Sequence, residues 1–239
     1  MRRFVQALAG DPGLSPSLPA TVLEQLRRLP DRYNVSVGQS AGLIFTDTDR
    51  CMVAEMLWGL IPSWEPQPST RYSTQTARLE HAPTSRLYRR AWAGRRCVLP
   101  LNGYYKWDRT STPRQPYFIQ ASSGAPLYAA ALWSAWGEAE AARVLSFSVL
   151  TRANATIPAP LFPDGPCFLP AARLLEWMRA DPREAQHIAL HGEQPRLEAY
   201  AVSRRVANRK LDDYSLLEPL AAGEEFQASF DDVEADEDE

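Results

Sequence analysis

The chain has 239 residues, 45% of them hydrophobic and including seven Trp and eight Phe, which is enough to build a sizeable core in one large domain or two small ones. No apolar run approaches the 18 residues a membrane-crossing helix needs, and the short apolar stretch after Arg2 and Arg3, broken by Gln6 and Gly10, does not read as a signal peptide, so no membrane partner is expected. The net charge of −3 hides a division: 224–239 holds nine acidic residues and no Lys or Arg, leaving 20 acidic against 26 basic residues elsewhere and a body near +6.

Leucines at 23 and 26 among good helix formers predict a helix over 19–28, ending before Pro30. A second helix is predicted over 84–93, with Ser85 as its cap and Leu87 and Trp92 turned inward. The segments 98–107, 115–121, 127–136 and 144–151 are rich in aromatic and β-branched residues and separated by turn residues, which predicts consecutive antiparallel strands. Helices follow over 171–180, stopped by Asp181-Pro182, and over 183–191. The class is therefore α+β.

His187 and His191 stand four apart on the last helix, but only Glu184 is near enough to join them, so they read as surface histidines and neither a metal nor another cofactor is expected. Cys51, Cys97 and Cys167 form no C-x-x-C pair and read as reduced packing thiols of a cytoplasmic protein. Beyond an Ala-Ala-Gly hinge at 221–223, the acidic run reads as a disordered tail on a 1–222 domain. Such a tail aids solubility, competes with nucleic acid for a basic groove, or docks a protein partner through Phe226, Phe230 and Val233.

Two segments carry the strongest signal: Trp58-Gly-Leu-Ile-Pro-Ser-Trp64 and Arg96-Cys-Val-Leu-Pro-Leu-Asn-Gly-Tyr-Tyr-Lys-Trp107. Together with Arg3-Phe-Val-Gln6, Arg32-Tyr-Asn-Val35, Ala77-Arg78-x-Glu80, Gln115-Pro-Tyr-Phe-Ile119, Ala131-Leu-Trp133, Leu150-Thr-x-Ala-Asn154 and Val202-Ser-Arg-Arg-Val206, they occur in the order found in the SOS response-associated peptidase (SRAP) family, which the chain resembles from residue 1 to about 220. The resemblance implies a single domain with a mainly antiparallel, barrel-like β core and peripheral helices. It also implies an ancestry of covalent attachment to abasic sites in DNA and of removal of the protein's own first residue.

The reactive positions of that family are nevertheless replaced. The nucleophilic cysteine that follows the initiator Met is missing, and Met1 falls at its place; Arg2 is too bulky for the Met to be removed. A thioether has no ionisable S–H and cannot close a ring on an aldehyde-derived imine. The Asn-Ala-Arg box reads Thr76-Ala77-Arg78, exchanging an amide for a hydroxyl. In the Gly-Phe-Tyr-Glu-Trp box, Lys106 stands in place of the proton-handling glutamate. In the Ile-His-Asp-Arg-Met-Pro box, Phe162 replaces the histidine and Asp164 the arginine, so that one cannot move a proton and the other should repel phosphate.

Four such losses among retained glycines, prolines and tryptophans predict a pseudoenzyme. The expected function is single-stranded DNA binding in a DNA-damage (SOS) setting, at abasic sites but without covalent capture, in the cytoplasm and at the nucleoid when DNA-bound. Arginines on the basic body would track phosphates and aromatic rings would stack on bases; Arg3, Trp58, Trp64, Arg78, Trp107 and Thr151 are the expected DNA contacts, whereas tryptophans of a globular domain ordinarily belong to its core. Two other readings stand beside it: a protein-interaction module that has left DNA, favoured by Asp164 and the tail, and an enzyme forming imines through Lys106 or the Met1 amine.

Overall fold

A computed structural model describes residues 1–47, 50–137 and 143–220. The expectations for the acidic tail beyond residue 220 lie outside those residues. The elements, in chain order, are β1 (Arg3–Gln6), α1 (Ala20–Arg27), β2 (Arg32–Ser36), β3 (Ser40–Asp47), β4 (Arg50–Trp58), β5 (Thr76–Arg78), α2 (Arg89–Gly94), β6 (Arg96–Leu101), β7 (Gly103–Asp108), β8 (Gln115–Ala121), β9 (Leu127–Trp136), β10 (Val144–Ala153), β11 (Asp164–Pro166), α3 (Leu174–Arg179), α4 (Pro182–His191) and β12 (Leu197–Ala201).

Strands β10, β4, β3, β6 and β9 form a closed barrel, because β10 pairs with both β4 and β9. Only the β10–β4 seam in that ring is parallel. The far half of β10 carries β5 on one side and β11 on the other. A second sheet, in the order β12-β8-β7-β1-β2, covers the barrel.

Alternation along the strands assigns three layers of core. Leu43, Phe45, Cys97, Leu99, Ala129, Ala131, Phe147 and Val149 pack with Phe4, Tyr104 and Ile119 of the second sheet. Their neighbours Ile44, Val98, Ala130, Leu132 and Leu150 point the other way, under Val22 and Leu26 of α1, Trp92 of α2, Trp177 of α3 and Ile188 of α4. The outer face of the second sheet buries Val5, Tyr105 and Phe118 against Val202, Val206 and Leu216.

The predicted helix over 19–28 is α1, and 171–180 contains a 3-10 turn followed by α3. Asp181 ends one helix and begins the next: its carboxylate accepts from the amides of Arg183 and Glu184, with Pro182 in the first helical turn. The segment 84–93 differs from expectation. Its helix starts only at Arg89, because the amides of Ala82 and Ser85 are already taken by the carbonyls of Arg78 and His81 in two successive turns, and Ser85 Oγ accepts from Leu87 rather than capping a helix.

The predicted strand over 98–107 is two strands in different sheets, divided at Asn102. Asn102 forms a corner by pairing its amide with both the N–H and the C=O of Ala7. Gly103 allows the turn into the second sheet, since a Cβ there would lie 2.4 Å from the Ile119 carbonyl oxygen.

Candidate functional site

The parallel register of β5 on β10 sets Arg78 opposite Thr151, and β11 places Asp164 opposite Ala153 on the other side of β10. Arg78 reaches across, and its guanidinium pairs with the Asp164 carboxylate at 2.6 Å. From β7, the Lys106 ammonium donates to the backbone carbonyl of Asp164, also at 2.6 Å. Two cations from different sheets thus converge on one residue of β11.

The chain's first residue completes the group. The Met1 side chain packs against the barrel core. Its α-amine is buried, and that burial, with the neighbouring Lys106 charge next in size, lowers its pKa from 8.0 to about 6, against a smaller opposing pull from Asp164. Lys106 is lowered for the same first reason, loss of water around the ammonium. At neutral pH the α-amine is mostly unprotonated, the state in which an amine is a nucleophile.

Beneath these groups lies Tyr104, whose buried hydroxyl has no hydrogen-bond partner and whose pKa is raised by burial and then by Asp164. Gly165 sits directly against it, since a Cβ at that position would be 3.0 Å from Tyr104 Oη and 2.8 Å from Ile157. Phe162, just before β11, is 65% exposed.

Met1, Lys106 and Arg78 therefore meet around Asp164. Thr76 shares the outward face of β5 with Arg78, about 7 Å along the strand, while Ala77 between them is buried. Thr151 is buried, with its hydroxyl toward the Ala77 carbonyl.

The expected DNA contacts separate by strand face. Trp58 has no exposed surface; it packs on Phe4 and Phe147, and its indole N–H donates to the Gln75 carbonyl. It has no face to offer a base. Arg3 and Trp107 lie on the face of the second sheet opposite Lys106: Arg3 is buried and donates to Asn34, Ser36 and the Ala207 carbonyl, and half-buried Trp107 packs against the cluster of Val202 and Leu216. Trp64 is 41% exposed, with the Arg86 guanidinium 5.9 Å from its ring centre.

His187 and His191 sit on α4 with ring centres 4.8 Å apart, and no group of three or more His, Cys, Asp or Glu side chains among the described residues could hold a metal ion.

Sequence reasoning treated Lys106 and Asp164 as separate losses, and the structure shows that they touch. The contact runs through the main chain, from the Lys106 ammonium to the Asp164 carbonyl, while the Asp164 carboxylate serves Arg78, so side-chain charge alone does not announce it. Arg109, whose charge adds to the lowering of the Met1 amine pKa, carried no signal in the sequence either.

The family model described as "SOS response associated peptidase (SRAP)" matches residues 6–209. The chain is 29% identical over 197 residues to the abasic site processing protein YedK of Escherichia coli, covering 79% of this chain and 85% of that protein. It is 26% identical over 190 residues to the abasic site processing protein YoaM of Bacillus subtilis, covering 78% and 84%. Among solved structures, a protein from Bacteroides thetaiotaomicron superposes with a TM-score of 0.71 at 17% identity, covering 91% of this chain and all of that one. One from Bordetella bronchiseptica superposes with a TM-score of 0.66 at 23% identity, covering 85% and 100%.

Proposed function

This chain belongs to the SOS response associated peptidase (SRAP) family, and from that premise we propose that it binds single-stranded DNA at abasic sites, in a DNA-damage setting, without the thiol-closed covalent link. Relatives similar over most of its length are named abasic site processing proteins, which supports the substrate class. The observation that carries the rest is the chemistry of three side chains: a thioether, an ammonium and a phenyl ring stand at Met1, Lys106 and Phe162, where the family resemblance calls for a thiol, a carboxylate and an imidazole. Half-exposed Arg78, paired with Asp164, and partly buried Lys106 supply the cationic charge that favours a strand.

A second reading is favoured by the lowered pKa of the Met1 amine. An unprotonated amine beside Lys106 can condense with an aldehyde, losing water to give an imine that no sulfur then closes. One experiment separates the two. Protein confirmed by intact mass to begin at Met1 is mixed with single-stranded DNA carrying one abasic site, and a native gel is compared with a boiled denaturing gel, with and without borohydride. A shift in the native gel alone supports noncovalent binding. A denaturation-resistant band that requires borohydride supports the imine, and peptide mapping assigns it to Met1 or Lys106. A band surviving without borohydride, or no shift in either gel, overturns the proposal.

A further inference from the structure

The barrel surface carries a second cationic site that the groups around Asp164 do not use. An open pocket lies between the Trp58–Trp64 segment, α2 and β9, with Trp64, Arg90, Arg95, Trp133 and Ser134 in its wall. Arg90 is exposed and Arg95 half-buried. The Arg95 guanidinium lies 5.2 Å from the centre of the Trp133 ring, and its pKa is lowered first by burial and then by the charges of Arg90 and Arg143. Two guanidinium groups, Arg90 and Arg95, thus share one wall, with the Arg143 charge near enough to act on Arg95, and none of the three has a carboxylate partner among the described residues.

An independent observation points to what is missing. Trp133 is 5% exposed, and its indole N–H has no acceptor. A buried N–H without a partner is costly. A carboxylate side chain would be the internal remedy, yet the described wall supplies none. The clustered cations call for an anionic oxygen ligand, and the idle N–H donor belongs to a ring of the same wall. Guanidinium groups match phosphate oxygens with paired N–H donors.

We propose that the pocket of Arg90, Arg95 and Trp133, reinforced by the nearby charge of Arg143, is a phosphate subsite that grips one phosphodiester of a bound DNA strand, away from the groups around Asp164. This rests on the reading of the chain as a single-stranded DNA binder and adds where the strand runs. Exposed Trp64, in the same wall, would meet a base next to that phosphate.

The test measures the affinity of full-length protein for a single-stranded oligonucleotide containing a stable abasic analogue, between 50 and 300 mM KCl. Exposed Arg90 and Arg143 are replaced by alanine, singly and together, with Arg27→Ala on α1 as a control and melting temperatures as a check on folding. The double variant is expected to bind about fivefold more weakly at 0.1 M salt, with the slope of log K against log salt smaller by about 0.7, the share of one single-strand phosphate. The control should leave both unchanged.

The Trp133 indole resonance, assigned with Trp133→Phe, should move on addition of DNA. Wild-type binding with unaltered affinity and slope in the double variant would overturn this inference alone. Orthophosphate moving the resonance while DNA does not would also overturn it, making the pocket a site for the free anion. Absence of binding by the wild-type protein would instead remove the underlying function.

Discussion

Replacing Asp164 with Asn removes the carboxylate that occupies Arg78 while leaving the backbone carbonyl that Lys106 holds. The Arg78 and Asp164 side chains are 51% and 26% exposed, so their pair contributes only about 0.2–1 kcal/mol to folding. The variant should fold, with its melting temperature lower by no more than about 4 °C. On DNA the effect should be a gain. A freed guanidinium that neutralises one phosphate of a single strand adds about 0.7 to the slope of log K against log salt, which amounts to about fivefold tighter binding at 0.1 M KCl and about threefold at 0.2 M. Fluorescence anisotropy with a labelled single strand across that range reads both quantities. Unchanged affinity and slope in a folded Asp164→Asn protein would refute the idea that Asp164 screens Arg78 from a strand; tighter binding with no change of slope would locate the gain elsewhere than in a phosphate contact.

Three further outcomes are expected. The Met1 amine, lowered from 8.0 to about 6, loses its proton at lower pH in the folded protein than in the unfolded chain, so stability should rise with pH between about 6 and 8. The cost, about 2.7 kcal/mol at two pKa units, is fully present below pH 6 and gone above pH 8; competitive acylation of the amine against pH reads its pKa directly, and a value near 8 would contradict the burial. Arg96→Met should cost about 2–4 kcal/mol in urea unfolding, because the buried guanidinium donates to the carbonyls of Trp92, Trp177 and Ala180 and its loss leaves all three without that donor; a cost below 1 kcal/mol would show that water or repacking replaces it. Gly165→Ala should cost about 1–3 kcal/mol of thermal stability, since its Cβ would lie 2.8 Å from Ile157 and 3.0 Å from Tyr104 Oη, and an unaltered melting temperature would mean that β11 yields freely.

The helices α1, α3 and α4 were legible because their signals are local: apolar spacing, a proline stop and the Asp181-Pro182 junction that serves two helices at once. Strands β3 and β6 escaped a face-by-face reading because the barrel is covered on both sides. Ile44 and Phe45 are both buried, one under the helices and one inside, so no polar alternation marks the strand. The division of 98–107 was hidden for a related reason. Its corner depends on Asn102 bonding to Ala7, a partner 95 positions away that no local pattern contains.

The candidate site was half legible. The candidate residues could be named from the motifs, but their faces could not. Strand β7 shows the limit, since consecutive residues of one motif go to opposite sides: Lys106 to the site with Tyr104 beneath it, Tyr105 and Trp107 to the outer cluster. The segment Trp58-Gly59-Leu-Ile-Pro-Ser-Trp64 divides in the same way. Trp58 ends β4 wholly inside the core, and Gly59, at φ +129°, turns the chain in a conformation that a side chain rarely adopts. Five residues later Trp64 emerges 41% exposed beside Arg86. One motif thus supplies an anchor, a hinge and a surface ring, so two separate demands act on it. The first Trp and the Gly are kept by the barrel, and only the last Trp is free to be kept by a ligand.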